Sequence, residues 1–362
     1  PTIGAVLHGV DLTARNEATI RAVGNALLAH KVVFFRDQTL DDRAQRDFAA
    51  HFGPLQRFPF GSPVDEAIPE VHAIATGGDR GMTLRVEPSG GVCGARVTGL
   101  DLTQPLDAET VAAVRRAWIE HHVLAFPDQS IDDDDLERFT LHFGGFGDDP
   151  FFAPIAGRTH IAAIRREANE QTPLFAENWH SDWSFQEHPP AGTCLMAIDI
   201  PPTGGDTLFA NQHLAWEALP SERKAELADL VAVHSARLAY APDGSYGTKD
   251  KGRSMDIRPG EAAMATQTRP LVPAHPETGR RGFYSTLGYI IGIEGIAQDA
   301  AIKLLMELQA WQGDERFVYA HKWEPGMLIM WDNRSLLHKA TGGYEGHRRE
   351  LHRTTIAAWS GS

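Results

Sequence analysis

The chain has 362 residues, a formal net charge of -14 at pH 7, a hydrophobic content of 42% and two cysteines. The acidic balance argues against a nucleic-acid or anionic-membrane surface, because such surfaces need clustered Lys and Arg side chains. Two cysteines exclude a disulfide framework and a thiolate zinc cluster. We therefore expect a cytoplasmic enzyme with a packed core that acts on a small molecule and contacts neither nucleic acid nor membrane.

An internal repeat opens the chain. Three short motifs recur in the same order, with copies at 4–13 and 94–103, at 32–38 and 123–129, and at 51–53 and 142–144. The offset is 90 residues at the start (94 − 4) and 91 at the end (142 − 51), so one residue is inserted between the copies. Two copies are too few for a solenoid, which needs several repeats to bury a core.

Each copy is predicted to form a strand, a helix, a second strand and a second helix. In the second copy, Val111, Val114 and Trp118 follow helical spacing, and Asp107 is placed to cap that helix. The apolar run 123–126 predicts a buried strand. The acidic residues 132–135 favour a helix start over a calcium loop, because no glycine or closing Glu stands at calcium-loop spacing.

The first copy stops near Gly81 without a metal-binding motif. We therefore interpret residues 1–81 as a partial duplicate of the N-terminal unit and residues 82–362 as the complete catalytic domain. The duplicate is a degenerate remnant, an extra layer, an artificial fusion, or an element exchanged between subunits. A homo-oligomer, either a dimer or a tetramer, is expected.

Downstream of the repeat, short strand-like runs alternate with turn signals. Strands are predicted at 193–198 and 327–331, and helices near 220–231 and 298–312. This pattern predicts a mainly β fold with flanking helices, built on a double-stranded β-helix (a jelly roll, cupin-like core). The polar segment 242–269 lacks periodicity, and it is either a disordered loop or an active-site lid.

A candidate metal site begins at His180 and Asp182. Residues two apart on a strand point to the same face, so both side chains can reach one metal ion. The distant His338 supplies a second imidazole on another predicted strand. Two imidazoles and one carboxylate leave three coordination positions open, which is the ligand set of non-haem Fe(II) oxygenases.

A candidate anion site follows on the last strand. Arg349, Leu351 and Arg353 share one face of that strand, which we expect to pair antiparallel with the strand of His338. Two guanidinium groups buried beside a metal need anionic partners. An Arg fork matches a carboxylate, so a dicarboxylate is a suitable ligand. The alternative is a pair of solvated arginines on an edge strand.

The motifs around these residues resemble one known family. They comprise Asn178-Trp179-His180-Ser181-Asp182 with Phe185, then Pro189-Pro190-Ala191-Gly192, Gly204-Gly205-Asp206-Thr207-Leu208, Trp331-Asp332-Asn333-Arg334 and Arg348-Arg349. This set is similar to the taurine dioxygenase and chlorophenoxyacetate dioxygenase (TauD/TfdA) family of Fe(II)- and 2-oxoglutarate-dependent oxygenases. The similarity runs from about Leu84 to Ile356.

The resemblance implies a role for each matched position. His180, Asp182 and His338 would bind Fe(II), while Thr207 and Arg349 would hold the distal carboxylate of 2-oxoglutarate. Arg353 matches a position that approaches the substrate or the cosubstrate. The implied reaction consumes O2 and 2-oxoglutarate, hydroxylates a C–H bond of a small anionic substrate and releases succinate and CO2. In some cases the hydroxylated product fragments.

The expected substrate pocket departs from that of the taurine enzymes. Ala176 replaces a substrate-contacting Asn, and aromatic residues surround the motifs, which favours a larger, apolar or aromatic substrate. The predicted pocket residues are Asn178, Phe151, Phe152, Tyr284, Tyr289 and Arg353. Two other classes remain open: a cupin-like Zn or Mn hydrolase, and a non-catalytic binding protein of the same fold. Metal analysis with a 2-oxoglutarate consumption assay separates them.

Overall fold

The computed structural model describes residues 5–13, 16–36, 38–55, 71 and 84–358. Contacts divide the chain into two compact units, Pro1–Arg80 and Gly81–Ser362. The repeat residues Gly4 and Asp37 and the predicted end of the first copy near Gly81 lie outside the described residues. None of the helices in these ranges has the length and apolarity that a membrane crossing requires.

The described residues of the first unit form two strands and two helices. In chain order they are β1 (Ala5–Leu7), α1 (Glu17–His30), β2 (Val33–Phe35) and α2 (Asp42–Ala50). The two strands pair in parallel. Asn16 caps α1 by accepting the Thr19 N–H, and Lys31 ends it with a left-handed φ of 69°.

The second unit opens with the same motif, preceded by β3 (Arg85–Pro88). The repeated elements are β4 (Ala95–Thr98), α3 (Ala108–His121), β5 (Val123–Phe126) and α4 (Asp133–Leu141). Strands β4 and β5 again pair in parallel. Asp107 caps α3, and Asp132 forms a capping box with Asp135 at α4. The predicted helix from Asp107, the strand 123–126 and the acidic helix start are confirmed.

A glutamine ties each copy together in the same way. In the first unit, Gln38 accepts the Leu12 N–H at 3.0 Å and donates to the Val10 carbonyl at 2.8 Å. In the second unit, Gln129 accepts the Leu102 N–H at 3.0 Å and donates to the Leu100 carbonyl at 3.2 Å. The side-chain amide thus replaces a backbone partner for the loop after the first strand of each copy.

The rest of the second unit is mostly strands. They are β6 (Ala162–Arg166), β7 (Gly192–Asp199), β8 (Thr207–Asn211), β9 (Val231–Ser235), β10 (Thr266–Pro270), β11 (Ile290–Ile293), β12 (Val318–His321), β13 (Leu328–Asp332), β14 (Leu336–Ala340) and β15 (Arg349–Ile356). The helices are α5 (Gln212–Glu217), α6 (Ser221–Leu227), α7 (Arg237–Tyr240) and α8 (Gln298–Gln312), with short 3-10 turns at Glu261–Met264 and Glu315–Phe317.

The described strands of this unit form three sheets. One has seven strands in the order β3-β4-β5-β13-β7-β15-β6, and two have three strands, β12-β8-β14 and β10-β9-β11. The predicted strands at 193–198 and 327–331 are confirmed as β7 and β13, and the helix 298–312 as α8. The helix predicted near 220–231 was too long. It ends at Leu227, because Val231 pairs with Pro270 at the start of β9.

The predicted pairing of the last two strands is wrong. Strand β14, which carries His338, pairs with β8, whereas β15, which carries Arg349, lies between β7 and β6. Glycines with left-handed φ values, Gly343 at 88° and Gly346 at 81°, turn the chain between these two sheets. The histidine and the arginine therefore approach the site from different sheets.

The segment 242–269 is folded, so the disordered-loop alternative is wrong. Arg253 donates to Asp250 at 2.6 Å, and the Ser254 N–H donates to Glu170 at 2.9 Å. The first contact lies within the segment, and the second fastens the segment to the loop after β6. Its last residues begin β10, which pairs with β9.

Strand β7 begins at a glycine for a packing reason. A Cβ atom at Gly192 would meet both the Trp118 ring and the Trp331 carbonyl. Trp118 is fully buried in the core between α3 and the seven-stranded sheet. The glycine of the Pro-Pro-Ala-Gly motif thus lets Trp118 of α3 pack closely against the start of β7.

Candidate metal centre and its cavities

Three potential metal ligands converge in the second unit. The ligand atoms of His180, Asp182 and His338 all lie within 4.8 Å of one another. Asp182 Oδ1 is 3.9 Å from His180 Nε2 and 3.7 Å from His338 Nε2. The backbones of His180 and His338 exchange hydrogen bonds of 3.1 and 2.8 Å, which fix the two imidazoles side by side.

The predicted strand at 180–182 is only partly present. His180 forms an isolated bridge with His338, but Asp182 already lies in a turn. Trp183 next to it has a left-handed φ of 50°, and Ala176 before the motif has 58°. The turn at Asp182 and Trp183 ends the extended stretch soon after His180, whereas Ala176 lies before it. The two ligands still converge, because the turn keeps the carboxylate beside the imidazoles.

Burial and charge hold the ligands in metal-binding protonation states. Burial lowers the pKa of His338 to about 3, and the neighbouring His180 reinforces the effect. Burial opposes ionisation of Asp182, but Arg353 and the two histidines outweigh it and lower its pKa to about 2. The His180 Nδ1 lies 2.9 Å from the Asn178 carbonyl. That contact assigns the proton to Nδ1 and leaves Nε2 free for a metal.

Arg349 is a buried guanidinium without a carboxylate partner among the described residues. Its side chain donates to the Gly205 carbonyl at 3.1 Å and lies 5.8 Å from the Trp323 ring centroid. Its Nε atom is buried and has no hydrogen-bond partner within the described part of the chain. Burial lowers the pKa of this group. An unpaired buried charge of this kind needs an anion.

Arg353, on the same face of β15, is already paired. Its Nη2 donates to Asp149 at 2.6 Å, and its Nη1 is 3.7 Å from Asp182 Oδ1. Burial lowers its pKa, but Asp149 and Asp182 outweigh burial and raise it. The guanidinium carbon lies 4.9 Å from the Trp183 ring centroid. The two arginines therefore differ, since Arg353 has anionic partners on the chain and Arg349 has none in the described ranges.

Replacing Arg353 with methionine is expected to destabilise the fold by about 3–5 kcal/mol, because the buried Asp182 and the half-buried Asp149 would lose the positive charge that they share. Urea denaturation measures this change. The matched control is Arg348→Met, whose ion pairs are partly exposed to solvent and contribute about 1 kcal/mol or less. Equal losses in the two variants would contradict the pairing argument.

Thr207, on β8, lines an inner cavity together with residues of β15, which belongs to another sheet. Its hydroxyl oxygen accepts the Trp323 Nε1–H at 3.0 Å, which leaves the hydroxyl hydrogen available to a ligand. The cavity measures about 70 Å³ and is lined by both metal-site histidines and by other residues of the two sheets, among them Asp182, Thr207, Trp331, Tyr344, Arg349, Leu351 and Arg353. The face shared by Arg349, Leu351 and Arg353 therefore points into it.

A larger cavity of about 500 Å³ adjoins the inner one at His180. Its walls combine aromatic and apolar residues, among them Phe175, Leu238, Tyr240, Tyr246, Leu287 and Tyr289, with the polar or charged residues Asn178, Glu177, Asp250 and Arg253. Of the predicted pocket residues, Asn178 and Tyr289 line this cavity, and Arg353 lines the inner one.

Three predicted pocket residues lie behind the wall. Phe151 stacks on Tyr240 with ring centroids 4.7 Å apart, and Phe152 packs against Trp183 at 5.1 Å. Tyr284 faces His234 at 5.9 Å. Four further residues that line the larger cavity, Phe175, Tyr240, Tyr246 and Arg253, were not predicted from the sequence. For Tyr246 and Arg253, the sequence feature that pointed to the site was their place in the aperiodic segment 242–269.

The arrangement satisfies two independent requirements. The three converging ligands suit a divalent metal, and the unpaired guanidinium suits an anion in the same cavity. A sheet-rich unit with this site defines a mononuclear non-haem metal enzyme that uses an anionic cosubstrate.

Comparison with known proteins places this enzyme in a family. The Taurine catabolism dioxygenase TauD, TfdA family matches residues 1–82 and 85–355. The alpha-ketoglutarate-dependent 2,4-dichlorophenoxyacetate dioxygenase of Cupriavidus pinatubonensis is 32% identical over 76% of this chain and 98% of its own length. The alkylsulfatase of Acinetobacter baylyi is 31% identical over 74% of this chain and 83% of its own.

Two solved structures are similar as well. The AAD-2 complex with Mn(II) and N-oxalylglycine has a TM-score of 0.61 and 29% identity, and covers 77% of this chain and 99% of its own. A putative alpha-ketoglutarate-dependent taurine dioxygenase from Burkholderia xenovorans has a TM-score of 0.64 and 27% identity, with 76% and 93% covered. The chain belongs to the TauD, TfdA dioxygenase family. The predicted class, a dioxygenase that depends on Fe(II), 2-oxoglutarate and O2, is confirmed by this membership.

Proposed function

We propose that the second unit hydroxylates a C–H bond of a small anionic substrate, with Fe(II) held by His180, Asp182 and His338. The observation that carries this proposal is the convergence of the three ligand atoms within 4.8 Å. When bound there, Fe(II) supplies the oxygen activation that couples conversion of 2-oxoglutarate to succinate and CO2 with oxygen transfer to the substrate.

The three ligand side chains are in metal-binding protonation states without a bound metal. Both imidazoles are neutral at pH 7, because burial lowers the pKa of His180 and of His338. A neutral imidazole and an ionised carboxylate bind a cation without first releasing protons. The Arg353 charge keeps Asp182 ionised, and the surrounding aromatic rings limit the access of water.

Arg349 and Thr207 form the proposed contacts with the far carboxylate of 2-oxoglutarate. Both residues line the inner cavity; the Arg349 Nε–H has no hydrogen-bond partner among the described residues, and Thr207 can donate its hydroxyl hydrogen. A carboxylate accepts both donors at once. Arg353 lines the same cavity, but Asp149 and Asp182 already share its charge. It therefore attracts the 2-oxoglutarate anion electrostatically without a direct hydrogen bond.

The outer cavity is the proposed substrate site. Its aromatic wall, with Phe175, Tyr246 and Tyr289 beside His180, suits the apolar body of a substrate. The curated relatives include enzymes named for phenoxy acids and for sulfate esters. These names support an anionic group on an apolar body, and release of sulfate or a phenol would follow hydroxylation next to oxygen.

The test is a screen for substrate-stimulated succinate formation. Purified protein with Fe(II), ascorbate and 2-oxoglutarate is incubated with sulfonates, alkyl sulfates, aryloxyalkanoates and amino-acid derivatives. We expect at least one class to raise succinate in an O2-dependent manner, and His338→Ala to remove the response. Product formation without O2 would favour the hydrolase alternative, and ligand binding without any turnover would favour the binding protein.

Several finer assignments belong to the same proposal. A double-stranded β-helix core is supported by strands of two sheets that line one cavity, with Thr207 and His338 from one sheet and Arg349 from the other. A duplicate origin for residues 1–81 is supported by the matched helix caps and glutamine contacts of the described residues. The homo-oligomeric state, the cytoplasmic location and the lack of nucleic-acid or membrane contacts stay predictions.

A further inference from the structure

We propose that Trp331, Asn333 and Thr193 form a hydrogen-bond relay that orients Asp182, so that a single carboxylate oxygen faces the metal. The inference rests on the proposed metal site. The three residues have a positioning role. Their hydrogen bonds reach the metal ligands at one point, the Asp182 carboxylate.

The direction of every hydrogen bond in the relay is fixed. The indole Nε1–H of Trp331 can only donate, and it lies 2.8 Å from Asn333 Oδ1. The Asn333 amide must then turn its NH2 group to Thr193, and Nδ2 is 2.9 Å from Oγ1. Because the Thr193 hydroxyl oxygen accepts that bond, its single hydrogen is free for Asp182 Oδ2, which is 2.6 Å away.

The relay is isolated from solvent. Thr193 and Asn333 have no exposed surface, and Trp331 and Asp182 are each 2% exposed. Water therefore has no access to replace a missing donor. Loss of the Thr193 hydroxyl would leave Asp182 Oδ2 as a buried acceptor without its partner, which is costly for an ionised group.

The two oxygens of Asp182 have different surroundings as a result. Oδ2 accepts the Thr193 hydroxyl, whereas Oδ1 faces His180 Nε2 and His338 Nε2 at 3.9 and 3.7 Å. With Oδ2 engaged, the carboxylate offers one atom to a cation. Single-oxygen coordination keeps open the positions that a chelating cosubstrate and O2 require.

The relay is also anchored to the backbone on both sides. The Asn333 N–H donates to the Ala191 carbonyl at 3.0 Å, next to the start of β7. The Ser181 hydroxyl, between the two ligands of the motif, donates to the Asn333 carbonyl at 2.6 Å. The backbone of Asn333 thus holds the ligand loop, while its side chain sets the angle of the ligand.

The test measures metal affinity on the apoprotein with Mn(II), followed by electron paramagnetic resonance of the free ion. We expect Thr193→Val to bind Mn(II) about 10- to 100-fold more weakly, the range seen when outer hydrogen-bond partners of metal ligands are lost. Thr193→Ser keeps the hydroxyl and should bind like wild type. Thr193→Cys, a weaker donor, should bind Mn(II) more weakly than Thr193→Ser, and this comparison serves as the test if the valine variant does not fold.

The matched control is Thr140→Val. Thr140 is fully buried, and its hydroxyl contacts the Leu136 carbonyl at 2.8 Å and Thr354 Oγ1 at 2.7 Å, away from the metal ligands. Wild-type affinity in Thr193→Val, or equal weakening in Thr140→Val, would overturn the relay. If Asp182→Ala binds Mn(II) as tightly as wild type, the proposed metal site itself is wrong, which is a distinguishable result.

Discussion

Replacing Asp182 with alanine is expected to abolish metal binding and O2-dependent succinate formation. The residue is the single anionic member of the ligand set, and its carboxylate lies between two imidazoles that carry no charge at pH 7. The loss should exceed the roughly 10- to 100-fold effect of removing an outer hydrogen-bond partner. Anaerobic titration with Fe(II) and 2-oxoglutarate measures it, because the charge-transfer band of the ternary complex should not develop.

Asp148→Ala is the matched control for this experiment. Asp148 is an exposed carboxylate outside the ligand set, so the charge change is the same while the ligands stay intact. Its band and succinate yield should equal those of wild type. The assigned ligand triad is wrong if Asp182→Ala gives a wild-type band and yield.

Replacing Arg349 with glutamine is expected to raise the 2-oxoglutarate concentration needed for half-maximal turnover by roughly 100-fold. Removing one partner of a buried, hydrogen-bonded charge pair costs on the order of 3 kcal/mol. Fe(II) affinity in the absence of 2-oxoglutarate should change little, because the guanidinium is not among the metal-binding groups. Titrating each component separately measures the two effects.

Arg348→Gln is the control that tests whether the raised 2-oxoglutarate requirement is specific to the loss of Arg349. Arg348 precedes Arg349 on the chain, but it pairs with Glu167 and Asp199 at distances of 3.2 and 3.1 Å. The variant should keep the wild-type requirement for 2-oxoglutarate. If Arg349→Gln weakens Fe(II) and 2-oxoglutarate binding equally, the residue supports the fold and does not bind the cosubstrate.

The metal ligands could be predicted from the sequence because their chemistry is explicit in short motifs. His180 and Asp182 are metal-binding residue types two positions apart, and the segment Trp331-Asp332-Asn333-Arg334 before His338 resembles the family motif. The helix at Ala108–His121 was predicted equally well, since its cap and apolar spacing are local features.

The partners of the strands could not be predicted in the same way. Strands β14 and β15 follow one another along the chain, but they join different sheets. A short connection favours a hairpin, and no local pattern reveals that Arg349 pairs across from Arg166. Non-local packing also decides which aromatic residues face the cavity, so Phe151 lies behind Tyr240, which lines the wall.

The left-handed conformations of Ala176 and Trp183 have a consequence for heat tolerance. A residue with a side chain in this region of backbone space costs about 1–3 kcal/mol, and both flank the metal-binding motif. Glycine at position 183 would relieve that strain but would remove the indole beside Arg353. Loss of the buried Trp183 side chain would cost about 3–5 kcal/mol, which exceeds the strain it relieves. Laboratory evolution for thermal resistance alone should therefore retain Trp183 and accept glycine only at Ala176.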